Sequence, residues 1–172
     1  MLDPSCITNH NATDRELETM ILFWVCAAGK NGMVAARSLA YLLECASLEA
    51  GKKPNDDDRM PFEKVAAVAD LPGLMKINGI GCYNNKAKTF KELINSDIDL
   101  RTCTVDDLES IKGIGPKTAR CFLIHSRPNQ QLAGLDTHIL KFLRDKGYNA
   151  PKTTPGSKKK YKQVEQWFIN EA

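Results

Sequence analysis

The 172 residues are 42% hydrophobic and 26% charged with a net charge of +3, the make-up of an ordinary globular chain with enough length for a real core. No apolar run approaches the roughly 18–20 residues that a bilayer span requires. The longest, residues 20–28, follows Asp14, Glu16 and Glu18 rather than a basic leader region, so it does not read as a signal peptide. A soluble protein inside the cell, in cytoplasm, nucleoid or nucleus, is expected.

In chain order the pattern is helix after helix. Residues 1–12 read as an irregular arm. Thr13 and Glu16 stand at capping-box spacing and open a helix through Leu17, Met20, Ile21, Trp24 and Val25. Gly29-Lys30-Asn31-Gly32 is turn chemistry, and a second helix is expected over 33–46. The stretch 51–59 is a polar loop, 61–70 a short helix, and 71–78 contains a Pro-Gly break. Gly79-Ile80-Gly81 leads into a helix carrying Tyr83, Ala87, Phe90 and Leu93. Thr104 caps another, with Leu108 and Ile111 inward. Gly113-Ile114-Gly115 interrupts the pattern and Pro116 restarts it, since a first-turn proline lacks only an N–H that has no partner there. Asp136 is the expected N-cap of a helix through Leu140 and Leu143, and 161–169 a terminal amphipathic helix with Val164, Trp167 and Phe168. No segment alternates with a period of two. The expected class is all-α.

Charge is unevenly placed. Residues 1–111 hold 12 Lys/Arg against 17 Asp/Glu, whereas 112–162 hold 12 Lys/Arg against Asp136 and Asp145 alone, a local net of +10. A polyanion is the natural partner of such a segment, because each neutralised phosphate releases counterions. A solvated basic face is the other reading. The six cysteines, Cys6, Cys26, Cys45, Cys82, Cys103 and Cys121, form no CxxC pair. Reduced thiols are expected rather than disulfides or a metal cluster.

Residues 108–140 carry the chemistry. Glycines at 113 and 115 permit a tight hairpin with a close backbone approach, and the N–H groups that open the next helix are a ready phosphate site. Lys117 lies in that first turn, where the positive end of the helix dipole opposes an ammonium charge and a neutral amine would serve as a nucleophile. If the helix after Asp136 packs back on the one before it, the carboxylate returns towards Lys117. There it can stabilise positive charge on a sugar and handle the lysine proton. Each residue also has a plain reading: a lysine on solvent or phosphate, and a structural N-cap.

The run Leu108-Glu109-Ser110-Ile111-Lys112-Gly113-Ile114-Gly115-Pro116-Lys117-Thr118-Ala119 resembles the hairpin of the helix-hairpin-helix, Gly/Pro-rich, Asp-containing DNA glycosylases. Gly134-Leu135-Asp136-Thr137-His138-Ile139 resembles that family's Asp loop. Ile80-Gly81-Cys82-Tyr83-Asn84-Asn85-Lys86-Ala87 is similar to the strand-wedging loop of endonuclease III, and 24–31 (WVCAAGKN) falls where the family places its opposite-strand loop. The resemblance spans 13–143 and implies one glycosylase domain over 1–172. Its two helical lobes would be about 33–124, ending in the hairpin, and 13–32 together with 125–172, with duplex DNA between them and the target nucleotide flipped out.

By the same resemblance Lys117 and Asp136 are the catalytic pair of a bifunctional glycosylase and AP lyase that works through a Lys Schiff base and β-elimination. Gly113, Ile114, Gly115, Thr118, Lys30, Asn31, Cys82, Tyr83, Asn84, Lys86 and His138 are the expected DNA contacts. No cofactor and no iron–sulfur cluster are expected, since the cysteines are not spaced for one; a monovalent cation at hairpin carbonyls is compatible with the resemblance. Cys82 stands where a larger apolar wedge is usual, so Tyr83 or Lys30 and Asn31 share the gap-filling role. Damaged double-stranded DNA is the expected partner of a monomer, with no membrane involved. The expected substrate is an oxidised base, 8-oxoguanine slightly ahead of oxidised pyrimidine. A monofunctional glycosylase for mismatched or alkylated bases, and a non-catalytic DNA-binding module, remain open. Trp24 and Phe23 could stack a base, but their place in an apolar stripe favours the core.

Overall fold

Side-chain caps mark where most helices begin. Thr13 and Glu16 cap each other at the start of α1 (Asp14–Ala27), and Asn31 accepts two N–H groups at the start of α2 (Gly32–Glu49). Glu63 reaches back to the Met60 N–H ahead of α3 (Pro61–Ala66), and Asp70 caps α4 (Leu71–Ile77). After α5 (Tyr83–Ile94), Thr104 and Asp107 form a second reciprocal box at α6 (Val105–Ser110). The remaining helices are α7 (Pro116–Ser126), α8 (Thr137–Asp145), capped by Asp136, and α9 (Lys158–Glu171). These caps satisfy donors that a first helical turn leaves without partners. The computed structural model describes residues 2–171. Among them the fold is all-α, with 3-10 turns at Pro4–Cys6 and Pro54–Asp56 and no strand.

Several boundaries differ from expectation for identifiable reasons. The Pro72-Gly73 pair is no break, because it sits inside the first turn of α4, where Pro72 needs no donor and Asp70 takes the Gly73 N–H at 3.0 Å. The third helix stops at Ala66 rather than 70, and α2 and α9 run longer than their apolar stripes.

Two clusters of buried apolar side chains hold the molecule together. The larger runs from Ile7 to Leu123 and includes Phe23, Leu42, Met75, Phe90, Leu108 and Phe122. The smaller runs from Ala133 to Val164, built by α8, α9 and the loop before them. The resemblance groups 13–32 with the C-terminal lobe. In the structure α1 instead packs on α2, α3, α5 and α7, and its Leu17, Met20, Ile21 and Phe23 lie in the larger cluster.

Buried ion pairs bridge the two clusters. Arg120 on α7, 2% exposed, donates through Nη1 to Glu109 on α6 at 2.8 Å and through Nε to Glu165 on α9 at 2.6 Å. Lys158 reaches the other Glu109 oxygen at 2.9 Å, so two acids meet two bases. A separate knot forms at Asp57, whose carboxyl the Arg59 guanidinium holds far below the usual carboxylate range. No helix among the described residues is long and apolar enough to cross a membrane.

Candidate active site

The hairpin between α6 and α7 is anchored from behind. Ile111 and Ile114 are buried in the larger cluster. The Thr89 hydroxyl on α5 donates to Lys112 O at 2.9 Å, and Glu92 accepts the Lys112 N–H at 3.0 Å. Gly113 turns the chain at φ +98°, and a Cβ there would strike Thr89, so only glycine suits the position. Ile114 therefore contributes to the hairpin from the core side, its N–H bonded to Ile111 O.

The start of α7 is left open. Gly115 has no side chain to cap it, and the first turn holds no acid. The first-turn N–H groups of Lys117 and Thr118 thus lack the side-chain acceptor that the α8 start possesses. Lys117 itself is exposed.

Asp136 arrives from the other side. Its Oδ1 accepts the His138 and Ile139 N–H groups, both at 2.9 Å, which fixes the carboxyl at the N-terminus of α8. Among the described residues Oδ2 carries no hydrogen bond. The loop before it presses on α7: a Cβ at Gly134 would lie 2.5 Å from Cys121 Sγ and 4.0 Å from Lys117 Cγ. Cys121, one turn after Lys117, feels both charged groups. Burial pushes its thiol up to about 11, the Lys117 charge draws it down and the Asp136 charge raises it. The loop that leads to Asp136 thus lies against the helix that carries Lys117, and Cys121 is within reach of both charges.

A cavity of about 180 Å³ opens beside Lys117, lined by Trp24, Ala27, Ala28, Gly29, Thr118 and Cys121. Trp24 and Ala27 share one face of the last turn of α1, at i and i+3, and Ala28 follows as its C-cap. Trp24 stacks on His125 with centroids 5.2 Å apart and 20° between planes. Phe23 is buried in the larger core, whereas Trp24 is a cavity wall that packs only partly on it.

The two expected DNA loops sit together. A Cβ at Gly81 would lie 3.0 Å from Lys30 Nζ, so the 29–31 turn touches the 81–84 turn. Cys82 is exposed, at φ 53° and ψ 34° in the left-handed region, and Tyr83 is half-buried with Lys76 Nζ 5.8 Å from its ring centroid. Asn84 and His138 are exposed in the first turns of α5 and α8. Asn31 is exposed, with its Oδ1 committed to capping α2.

Lys86 departs from expectation. It is 7% exposed, and its Nζ donates to Cys26 O at 2.7 Å and Ala28 O at 3.1 Å. Its ammonium holds the last carbonyls of α1, a helix end that favours positive charge, and does not face DNA. Burial pushes its pKa down. Sequence reasoning also missed Arg120, Tyr161 and Glu165, which fasten the Asp136 loop. Glu165 left a signal, as an acid within the Tyr161, Val164 and Phe168 stripe.

Among the described residues no three His, Cys, Asp or Glu side chains gather as metal ligands. Two short helices joined by a tight Gly-Ile-Gly turn, with the second helix start left open, form a helix-hairpin-helix motif. Residues 75–172, more than half of the chain, match the family model described as 8-oxoguanine DNA glycosylase, and the chain belongs to that family. No curated protein matches it.

Proposed function

We propose that this chain removes an oxidatively damaged base from duplex DNA, 8-oxoguanine ahead of oxidised pyrimidine, and then cuts the strand at the abasic site. The observation that carries this reading is the convergence of Lys117 and Asp136 on Cys121 beside a cavity. The family match supports 8-oxoguanine as the preferred base.

In the proposed reaction the everted base enters the space walled by Trp24, Ala27 and Ala28. The Lys117 amine attacks C1′, and the glycosidic bond breaks with its electron pair leaving on the base, which takes up a proton from solvent. Asp136, through its free Oδ2, stabilises the positive charge on the sugar and accepts the proton that the new C1′–N bond expels from lysine. Opening of the sugar ring gives a Schiff base. Loss of a C2′ proton then breaks the C3′–O bond and releases the 5′-phosphate end. The amine and the carboxylate supply the nucleophile and the acid–base function, so no cofactor is invoked. The open start of α7, with Gly113, Gly115 and Thr118, grips a phosphate. Lys30, Asn31, Cys82, Tyr83, Asn84 and His138 line the duplex, and the protein acts as a monomer.

Borohydride trapping on duplexes carrying 8-oxoguanine, thymine glycol, uracil or an abasic site tests the proposal. A covalent adduct is expected on the 8-oxoguanine and abasic duplexes, and Lys117→Gln is expected to remove it and to slow strand cutting on the order of 10³-fold or more. No adduct on any duplex, with free base still released, would leave a monofunctional glycosylase.

A further inference from the structure

Lys117 and Asp136 come from separate pieces of chain, and most of the segment joining α7 to α8 belongs to no helix. Its central residues are held from α9 instead. Glu165 Oε1 accepts the Ala133 N–H at 2.8 Å. The Tyr161 hydroxyl accepts the Leu135 N–H at 2.8 Å and donates to Ala133 O at 2.9 Å. The Thr154 hydroxyl donates to Leu135 O at 2.9 Å, so both peptide groups flanking Leu135, immediately before Asp136, are fixed by side chains from outside the loop.

The same two α9 residues grip α7. Glu165 Oε1 also accepts from Arg120 Nε, and the Arg120 guanidinium carbon lies 4.4 Å from the centre of the Tyr161 ring. Arg120 follows Lys117 by three residues, on the same helix. One buried network thus runs from the lysine helix through Arg120 and Glu165 to Ala133, and through Tyr161 to the residue preceding Asp136. Buried, fully satisfied networks of this kind hold a single arrangement.

Resting on the roles assigned above to Lys117 and Asp136, we propose that Tyr161 and Glu165 are positioning residues that set the distance between the Asp136 carboxylate and the Lys117 amine. Neither touches substrate. They act by locking the loop that ends in Asp136 to the helix that carries Lys117. The chemistry also says which step depends on them. Base departure needs the carboxylate in place beside the sugar, whereas imine formation at an existing abasic aldehyde needs only the amine. A displacement of about 1 Å between reacting groups lowers a rate by up to about 100-fold.

The test compares Tyr161→Phe and Glu165→Gln with Leu42→Ala, a cavity-forming change in the larger core that touches neither residue. Three readouts are taken below the melting temperature of every variant. They are single-turnover excision from an 8-oxoguanine duplex at saturating protein, borohydride trapping on a preformed abasic duplex, and peptide-mapped alkylation of Cys121, which Gly134 covers. The expected result is an excision rate about 10- to 100-fold lower in Tyr161→Phe and Glu165→Gln. Abasic trapping should be retained and Cys121 newly alkylated, while Leu42→Ala stays at the unsubstituted protein's values in all three. Excision at the unsubstituted rate, or excision and trapping falling in step, would overturn the proposal. If the unsubstituted protein excises no lesion at all, the enzymatic reading fails separately. Alkylation of Cys121 in Tyr161→Phe then still supports the locking role, and continued protection overturns it.

Discussion

Helices α7 and α8 are joined by one loop and begin in opposite ways. At α7 the cap position is Gly115, the first turn holds a proline and a lysine, and no side chain meets the N–H groups. At α8 the cap is Asp136, whose single oxygen Oδ1 meets two N–H groups at once. The open start has donors left for a phosphate from outside. At the closed start two of the donors are taken, by a carboxylate held at a fixed angle whose second oxygen is unbonded among the described residues. In one small fold the same backbone feature serves as a binding site where it is bare and as a bracket where it is filled.

The sharpest way to break this contrast is to separate the bracket from the carboxylate. Asn caps a helix about as well as Asp, so Asp136→Asn should leave thermal stability within about 0.5 kcal/mol of the parent while base excision falls roughly 10²- to 10⁴-fold. Asp136→Ala should lose activity as far and also about 1 kcal/mol of stability from the missing cap. Thermal melts paired with single-turnover assays read both. If Asp136→Asn excises at the parental rate, the residue is only a bracket.

The converse change fills the open start. A Cβ at Gly115 meets nothing within 4 Å, and the backbone there, φ −90° and ψ 174°, accepts any residue. Gly115→Asp should stabilise the helix by a few tenths of a kcal/mol and weaken duplex binding about 10-fold, with a shallower dependence of affinity on salt. Binding isotherms at several salt concentrations measure this, and unchanged affinity would mean that DNA does not use these donors.

An effect on stability alone is expected behind the hairpin. Gly113→Ala places a Cβ against Thr89 at φ +98°, which should cost about 2 kcal/mol and lower the melting temperature by roughly 4–8 °C. The smallest effect concerns His125. Burial, and then the charge of His10, push its pKa below the ordinary value. The unfolded chain therefore binds the proton more readily. The contribution is whole above about pH 6.5, is lost as pH falls through that value towards the folded pKa, and then levels off. Melting temperatures at pH 7.5 and 5.5 should differ less in His125→Gln than in the parent.

Much of this was legible in the sequence because it is local. Thr13, Thr104, Pro116 and Asp136 announce helix starts through chemistry within three or four residues, and each start stands where expected. The proposed pair, Lys117 and Asp136, was legible through two short motifs, and the loop between them lies against α7. Long-range partners were not. Lys86 reads as a DNA-facing cation until the carbonyls of Cys26 and Ala28, some 60 residues earlier, are found around it. Trp24 reads as core because its stripe is apolar, and only the approach of α7 leaves a cavity at its side. Pro72-Gly73 reads as a break until the Asp70 cap is found to make it a beginning.

The buried Lys86 has a mechanical consequence. One ammonium fastens the end of α1, from which the turn with Lys30 and Asn31 departs, to the helix that begins at Tyr83, so the expected wedging loop and the expected opposite-strand loop are tied to each other. They behave as the jaws of a caliper locked at one opening, and under the proposed function a duplex is gauged by whether it yields to that width.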